Sequence, residues 1–200
     1  MDTEFEAKFY PVDKEEFRKK LQEIGATLKI PERRMRRLIA DHHDNKGLKC
    51  HYIRIRDEGN AVRLSAKIHA EVDGSVGDQK EADVIVADFD KTKEILEQAG
   101  LKFAKYQESL REEWEFDGAT ITIDTWPCLE TYSEIEAFSE AKVKEIAEKL
   151  GFEWRNKLLF ALDGLCAKVY GISEEEALKK ISDITFEDNP FKGMKKIWPQ

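Results

Sequence analysis

Seven segments of this chain alternate between charged and apolar residues with a period of two, and that alternation constrains the fold more than any other feature. In residues 4–8, Glu4, Glu6 and Lys8 alternate with Phe5 and Ala7. In "YIRIRD", Arg54 and Arg56 oppose Ile53 and Ile55; in "VRLSAKIH", Arg63, Ser65, Lys67 and His69 oppose Leu64, Ala66 and Ile68. Glu81 and Asp83 oppose Ala82, Val84 and Val86. Lys105, Gln107, Ser109, Arg111 and Glu113 oppose a mixed face containing Tyr106, Leu110 and Trp114. Thr120, Thr122 and Asp124 oppose Ile121 and Ile123, and Glu134 and Glu136 oppose Ile135 and Ala137. Side chains of a strand point alternately to opposite faces, so each segment reads as a two-faced strand. The extended, basic stretch "TLKIPERRMRRLIADHHD" adds an eighth. Hairpin-length turns join most of them, and eight antiparallel strands remove their exposed edges by closing into a barrel.

Several stretches have the helical period instead. Residues 12–26 carry a cap at Asp13, a capping-box partner at Glu16, an apolar stripe of Phe17, Leu21 and Ile24, and a closing Gly25. "DFDKTKEILEQAGL" repeats the design, with Asp90 near the cap and Ile95 and Ala99 inward. In "SEAKVKEIAEKLG", Ser139 caps and Val143, Ile146, Ala147 and Leu150 form the stripe. A helix over about 156–170 carries Leu158, Leu162, Leu165 and Val169, "SEEEALKKIS" reads as a short charged helix, and the tail from Thr185 has few signals. The reading is an α+β fold: an eight-stranded antiparallel β-barrel tunnel with helices packed outside over residues 1–170, then a C-terminal helical extension and tail over 171–200.

The helices need somewhere to dock their apolar stripes. If they cover the outside of the barrel, the charged faces point inward, and the barrel is a tunnel rather than a packed core. Parity alone is equally satisfied by an ordinary sheet whose charged face meets water. Composition favours the tunnel. Charged residues make up 37% of the chain, against about 25% in ordinary domains, and both signs occur on the polar faces. An enclosed charge is costly unless paired or neutralised by a bound ion. Carboxylates suit a hard divalent cation, while arginine and lysine suit phosphate oxygens.

A formal net charge of −8 argues against nucleic acid or an anionic membrane as partner. No apolar run reaches the roughly 18 residues of a membrane span, and no signal core opens the chain. Cys50, Cys128 and Cys166 show no metal or disulfide spacing and read as reduced thiols of a cytoplasmic protein. Neither a Walker-type loop nor Gly-x-Gly-x-x-Gly is present. The adjacent His42 and His43 point to opposite faces of a strand and make a poor metal pair. His51 and His69 read as structural or surface residues.

"EFEAK", "YIRIR", "VRLSAKI", "KEADVIV", "YQESLREEW", "ITIDTWP" and "YSEIEAF" occur in the order found in the CYTH superfamily, the triphosphate tunnel metalloenzymes. The chain resembles that family over about residues 1–170. The resemblance implies a tunnel that binds a small-molecule triphosphate (tripolyphosphate, thiamine triphosphate or ATP) with Mg²⁺ or Mn²⁺. By matching position it implies metal carboxylates at Glu4, Glu6, Asp124, Glu134 and Glu136, with Glu4, Glu6 and Lys8 serving catalysis. Substrate contacts fall to Lys8, Arg54, Arg56, Arg63, Lys67 and Arg111, with Glu81 and Asp83 as further acidic tunnel residues. The family often has basic residues just before the arginine of the sixth strand. Here Ser109 and Leu110 stand there, and Lys105 is the expected substitute. "ERRMRR" supplies spare arginines, with Arg34 or Arg36 expected inward. Hydrolysis of inorganic or organic triphosphates is the leading reading. The alternatives are a class IV-type adenylyl cyclase, making cyclic AMP and pyrophosphate from ATP, and a polyphosphate-binding module without turnover.

Overall fold

A computed structural model describes residues 5–42, 44–69, 79–159 and 161–199. Pro11 follows the first strand, β1 (Phe5–Phe9), and the Asp13 carboxylate accepts from the Glu16 amide at 2.9 Å to start α1 (Lys14–Glu23). The long β2 (Thr27–Asp41) tolerates Pro31, which has no amide to donate, because the register with its neighbour shifts between Leu28 and Arg33. Then come β3 (Tyr52–Asp57), β4 (Val62–His69), β5 (Gln79–Val86) and α2 (Phe89–Gln98). The strands β6 (Lys105–Phe116), β7 (Ala119–Thr125) and β8 (Tyr132–Ala137) follow, then α3 (Glu140–Lys149), α4 (Leu162–Tyr170), α5 (Glu174–Ile181) and the two-residue β9 (Asp183–Ile184). At the β6–β7 hairpin Asp117 and Gly118 both take positive φ, the geometry that matches the twist of the paired strands.

Eight strands form one antiparallel path, β1-β8-β7-β6-β2-β3-β4-β5, and β9 adds to β6 in parallel. The path starts at β1 and ends at β5, and among the described residues no ladder joins those ends. The free edge of β1 is instead held by Leu158. Lys8 donates its amide to the Leu158 carbonyl at 3.0 Å and accepts from the Leu158 amide at 2.9 Å. This corrects the expected helix over 156–170. A short 3₁₀ turn spans Trp154–Asn156, Leu158 is spent on satisfying an edge strand, and the helix begins only at Leu162.

The apolar faces are covered as the amphipathic stripes require. Phe17 and Leu21 of α1, and Val143, Ile146 and Ala147 of α3, pack with Leu150 on Ala7, Phe9, Ile121, Ile123 and Ile135. The mixed face of β6 also resolves: Arg18 of α1 grips the buried Glu112 carboxylate at 2.6 Å, and the Trp114 indole donates to it at 2.6 Å. A second cluster joins Trp126, Cys128 and Tyr132 to Leu165, Val169, Ile181, Ile184 and Phe191. Part of the signal-poor tail is therefore built into the structure, and Trp198 stacks on Tyr10 at 5.5 Å.

The coat is thinner over β4 and β5. The cap of α2 is Asp88, with Asp90 beside it in the first turn. Its inward residues are Phe89 and Leu96, while Ile95, expected inward, is 66% exposed. A cavity of about 270 Å³ lies between Leu96 and the outer residues Ile53, Leu64, Ala66, Ala82 and Val84.

Candidate functional site

Register sets which side chains share the inner face. Glu6 pairs with Glu136 and Lys8 with Glu134 across β1–β8; Asp124 pairs with Arg111 across β7–β6. On the other half, Arg37 stands between Gln107 of β6 and Arg56 of β3, and Ser65 and Lys67 of β4 lie opposite Arg54 and Tyr52. Two walls of different character result.

On the wall of β1, β6, β7 and β8 every buried charge is matched. The Arg111 guanidinium donates to both Asp124 oxygens, at 2.7 and 3.0 Å, and to Glu134 at 2.7 Å. Thr122 donates to Asp124 at 2.6 Å. Lys8 lies 3.3 Å from Glu134 and donates to Glu6 at 3.0 Å. Burial alone raises a carboxyl pKa, but Lys8 and Arg111 outweigh it at Glu134 and hold that carboxyl down at about 2. Asp124 goes the other way: burial and the neighbouring Glu134 charge exceed the pull of Arg111. Burial opposes the charge on Lys8, yet Glu134 and Glu6 raise its pKa above the ordinary lysine value. Lys8 is a fixed ammonium.

The wall of β2, β3 and β4 is dominated by cations. Arg56 pairs with Glu58, which also takes Arg63 at 3.2 Å, and Arg63 reaches Asp83 at 2.6 Å. Lys105 is neutralised by Asp41 at 2.7 Å. Lys67 and Arg37 have no ion-pair partner among the described residues. Arg37 donates to Ser109 Oγ at 2.9 Å and lies 4.6 Å from the centre of the Trp126 ring. The Nε atoms of Arg37 and Arg56, and Nη1 of Arg33, are buried without a hydrogen-bond partner among the described residues. Burial, with Arg56, Arg54 and Arg111 nearby, pushes Arg37 down to about 9; burial and Arg54 also lower Arg56.

The structure therefore brings Glu6, Lys8, Arg111, Asp124 and Glu134 into one hydrogen-bonded network and places Glu136 beside it in register. It puts Arg54, Arg56, Arg63, Lys67 and Asp83 on the adjoining wall, with Lys105 beside Asp41. Glu4, His43 and the side chain of Glu81 lie outside the described residues. The expectation for "ERRMRR" is corrected. Arg34 and Arg36 face outward, where Arg34 meets Glu108 and Phe186, and Arg36 meets Asp57 at 3.0 Å and the Phe89 ring. Arg33 and Arg37 face inward. Their neighbours held the signal: Leu38 and Ala40 must join the apolar outer face, which sends Arg37 inside. Glu58, just past the alternating segment "YIRIRD", carries no sequence signal, yet it is buried beneath two arginines and its carbonyl accepts from Arg33 at 2.7 Å.

The inward carboxylates are an all-oxygen donor set that already holds two cationic side chains, Lys8 and Arg111, which fits a hard cation in kind. Among the described residues no three His, Cys, Asp or Glu side chains converge on one point.

The CYTH domain family model matches residues 2–163. The chain belongs to the CYTH domain family. No curated protein matches it. Solved structures share the fold of this CYTH protein. A conserved hypothetical protein from Pyrococcus furiosus is 20% identical with a TM-score of 0.64, over 80% of this chain and 97% of that one. A candidate adenylate cyclase from Vibrio parahaemolyticus is 10% identical with a TM-score of 0.68, over 83% and 98%. HpAC1 from Hippeastrum, a candidate adenylyl cyclase described as having a dominant triphosphatase activity, is 13% identical with a TM-score of 0.55, over 86% and 97%. Among the described residues no helix is long and apolar enough to cross a membrane.

Proposed function

We propose that this CYTH protein is a divalent-metal-dependent hydrolase of inorganic or organic triphosphates. The observation that carries the reading is the asymmetry of the inner face: a wall of carboxylates adjoins a wall on which Arg37 and Arg56 keep a buried Nε without a hydrogen-bond partner among the described residues. A polyphosphate with a divalent cation would complement both, its oxygens toward the guanidiniums and the cation toward the carboxylates. Glu6, Asp124, Glu134 and Glu136, with Glu4, are the residues that would hold Mg²⁺ or Mn²⁺. When bound, the ion supplies neutralisation of phosphate charge and a more acidic water.

The protein's own part is positioning and electrostatics, which phosphoryl transfer chiefly requires. Arg54, Arg56, Arg63 and Lys67 orient the phosphate oxygens and offset the charge that builds on them. Lys8, locked as an ammonium, donates a hydrogen bond to a phosphate oxygen and takes no proton. A carboxylate of the acidic wall, Glu6 being the most exposed of the network, must therefore orient the attacking water.

The resemblance to candidate adenylyl cyclases supports a second reading, in which the ribose 3′-hydroxyl of ATP attacks the α-phosphate and pyrophosphate leaves. Incubation with Mg²⁺ or Mn²⁺ and tripolyphosphate, thiamine triphosphate or ATP separates the two by product. Phosphate is expected, and cyclic AMP with pyrophosphate would overturn hydrolysis. Tight binding with no turnover of any substrate would mark a binding module. Glu136→Gln should lower metal-dependent turnover at least 100-fold (about 3 kcal/mol) while leaving the fold intact.

A further inference from the structure

One unmatched charge of the inner face sits on a residue outside the family landmarks. Arg37 is flanked by the cations Arg54 and Arg56 on β3 and Arg111 on β6, and it makes no ion pair among the described residues. Its guanidinium is nevertheless built in. Ser109 Oγ fixes one nitrogen at 2.9 Å, and the face of Trp126 supports the plane at 4.6 Å. The Trp126 indole is itself pinned by Tyr132 at 3.0 Å. Trp126 and Tyr132 are each 4% exposed, so the floor beside Arg37 is closed.

A buried guanidinium among like charges costs stability unless something negative completes it, and Nε of Arg37 is a buried donor awaiting an acceptor. On that side a substituent carried beyond the acceptor would run into the Trp126 and Tyr132 rings. A terminal phosphate carries more charge than an internal one and bears no such substituent.

We infer that Arg37 is a specificity-determining residue of this tunnel, seating the unsubstituted terminal phosphate of a linear polyphosphate against the Ser109–Trp126 floor. This rests on the triphosphate reading above and deepens it, since it selects substrates with a free phosphate end.

The test is calorimetric binding of tripolyphosphate, and of diadenosine triphosphate, which is capped at both ends. The proteins compared are the wild type, Arg37→Met and the outward-facing control Arg36→Met, each also melted without ligand. Arg37→Met should weaken tripolyphosphate at least tenfold while the ligand-free protein melts at the same or a higher temperature. Arg36→Met should keep wild-type affinity, and the capped chain should bind weakly to all three. Unchanged tripolyphosphate affinity in Arg37→Met would overturn the inference, as would a lower melting point or equal affinity of the wild type for both probes. Failure of the wild type to bind tripolyphosphate, with or without Mg²⁺, would instead remove the triphosphate reading itself.

Discussion

The two walls of the inner face carry charge in opposite ways. On the β1–β8–β7–β6 side, two cations and their carboxylates satisfy one another before any ligand arrives. On the β2–β3–β4 side, Arg56 and Arg63 share Glu58, Arg37 has no acid beside it, and buried nitrogens of Arg33, Arg37 and Arg56 have no hydrogen-bond partner among the described residues. The outside repeats the contrast. Two helices seal the first wall with fully buried side chains, while one helix partly covers the second and leaves Val84 and Ile95 more than half exposed. The first wall is satisfied by its own side chains; the second keeps buried donors of a kind that suits an anion. Strain collects where a ligand can relieve it.

The strongest challenge to this comparison is Arg111→Met. It leaves Asp124 and Glu134 buried without their shared counter-charge and should cost about 3–5 kcal/mol in urea unfolding, the usual penalty for breaking a buried pair. A loss below 1 kcal/mol would mean the wall is not matched in this way.

Acid should expose the same network. Glu134 is held at about 2 against an ordinary 4.5, so its contribution is present above 4.5 and fades as the pH falls towards 2. The lost stability is about 3 kcal/mol at most, reduced by Asp124, which is shifted the other way. Glu134→Gln should flatten that part of a stability–pH curve.

The outer contrast is sharpened by a pair of isoleucines. Ile146→Ala, beneath α3, should cost about 2–5 kcal/mol. Ile95→Ala, on the bare side of α2, should stay within about 0.5 kcal/mol. Similar losses at both positions would erase the difference between the two coats.

What could be read in advance follows the same division. Alternation revealed Lys8, Arg54, Arg56, Asp124 and Glu134, because an adjacent apolar residue within a regular strand assigns the face of each. "ERRMRR" offers only one apolar residue, so Arg37 could be oriented only through Leu38 and Ala40 farther along. Glu58 lies past the end of its strand, where alternation stops being informative. Leu158 fits a helical stripe equally well, and only the unmet backbone of β1 explains why it is drawn out as a bridge. Ile95 has the spacing of a core residue, but the sheet beneath α2 is too incompletely covered to bury it.

The Leu158 bridge also orders events during folding. The strand bearing Lys8 precedes its two flanking partners, Glu134 and Leu158, by more than a hundred residues. Such distant pairings form slowly because a long loop must close first. Until then the lysine strand has nothing to dock on, whereas Arg56 and Arg63 find Glu58 within a few residues.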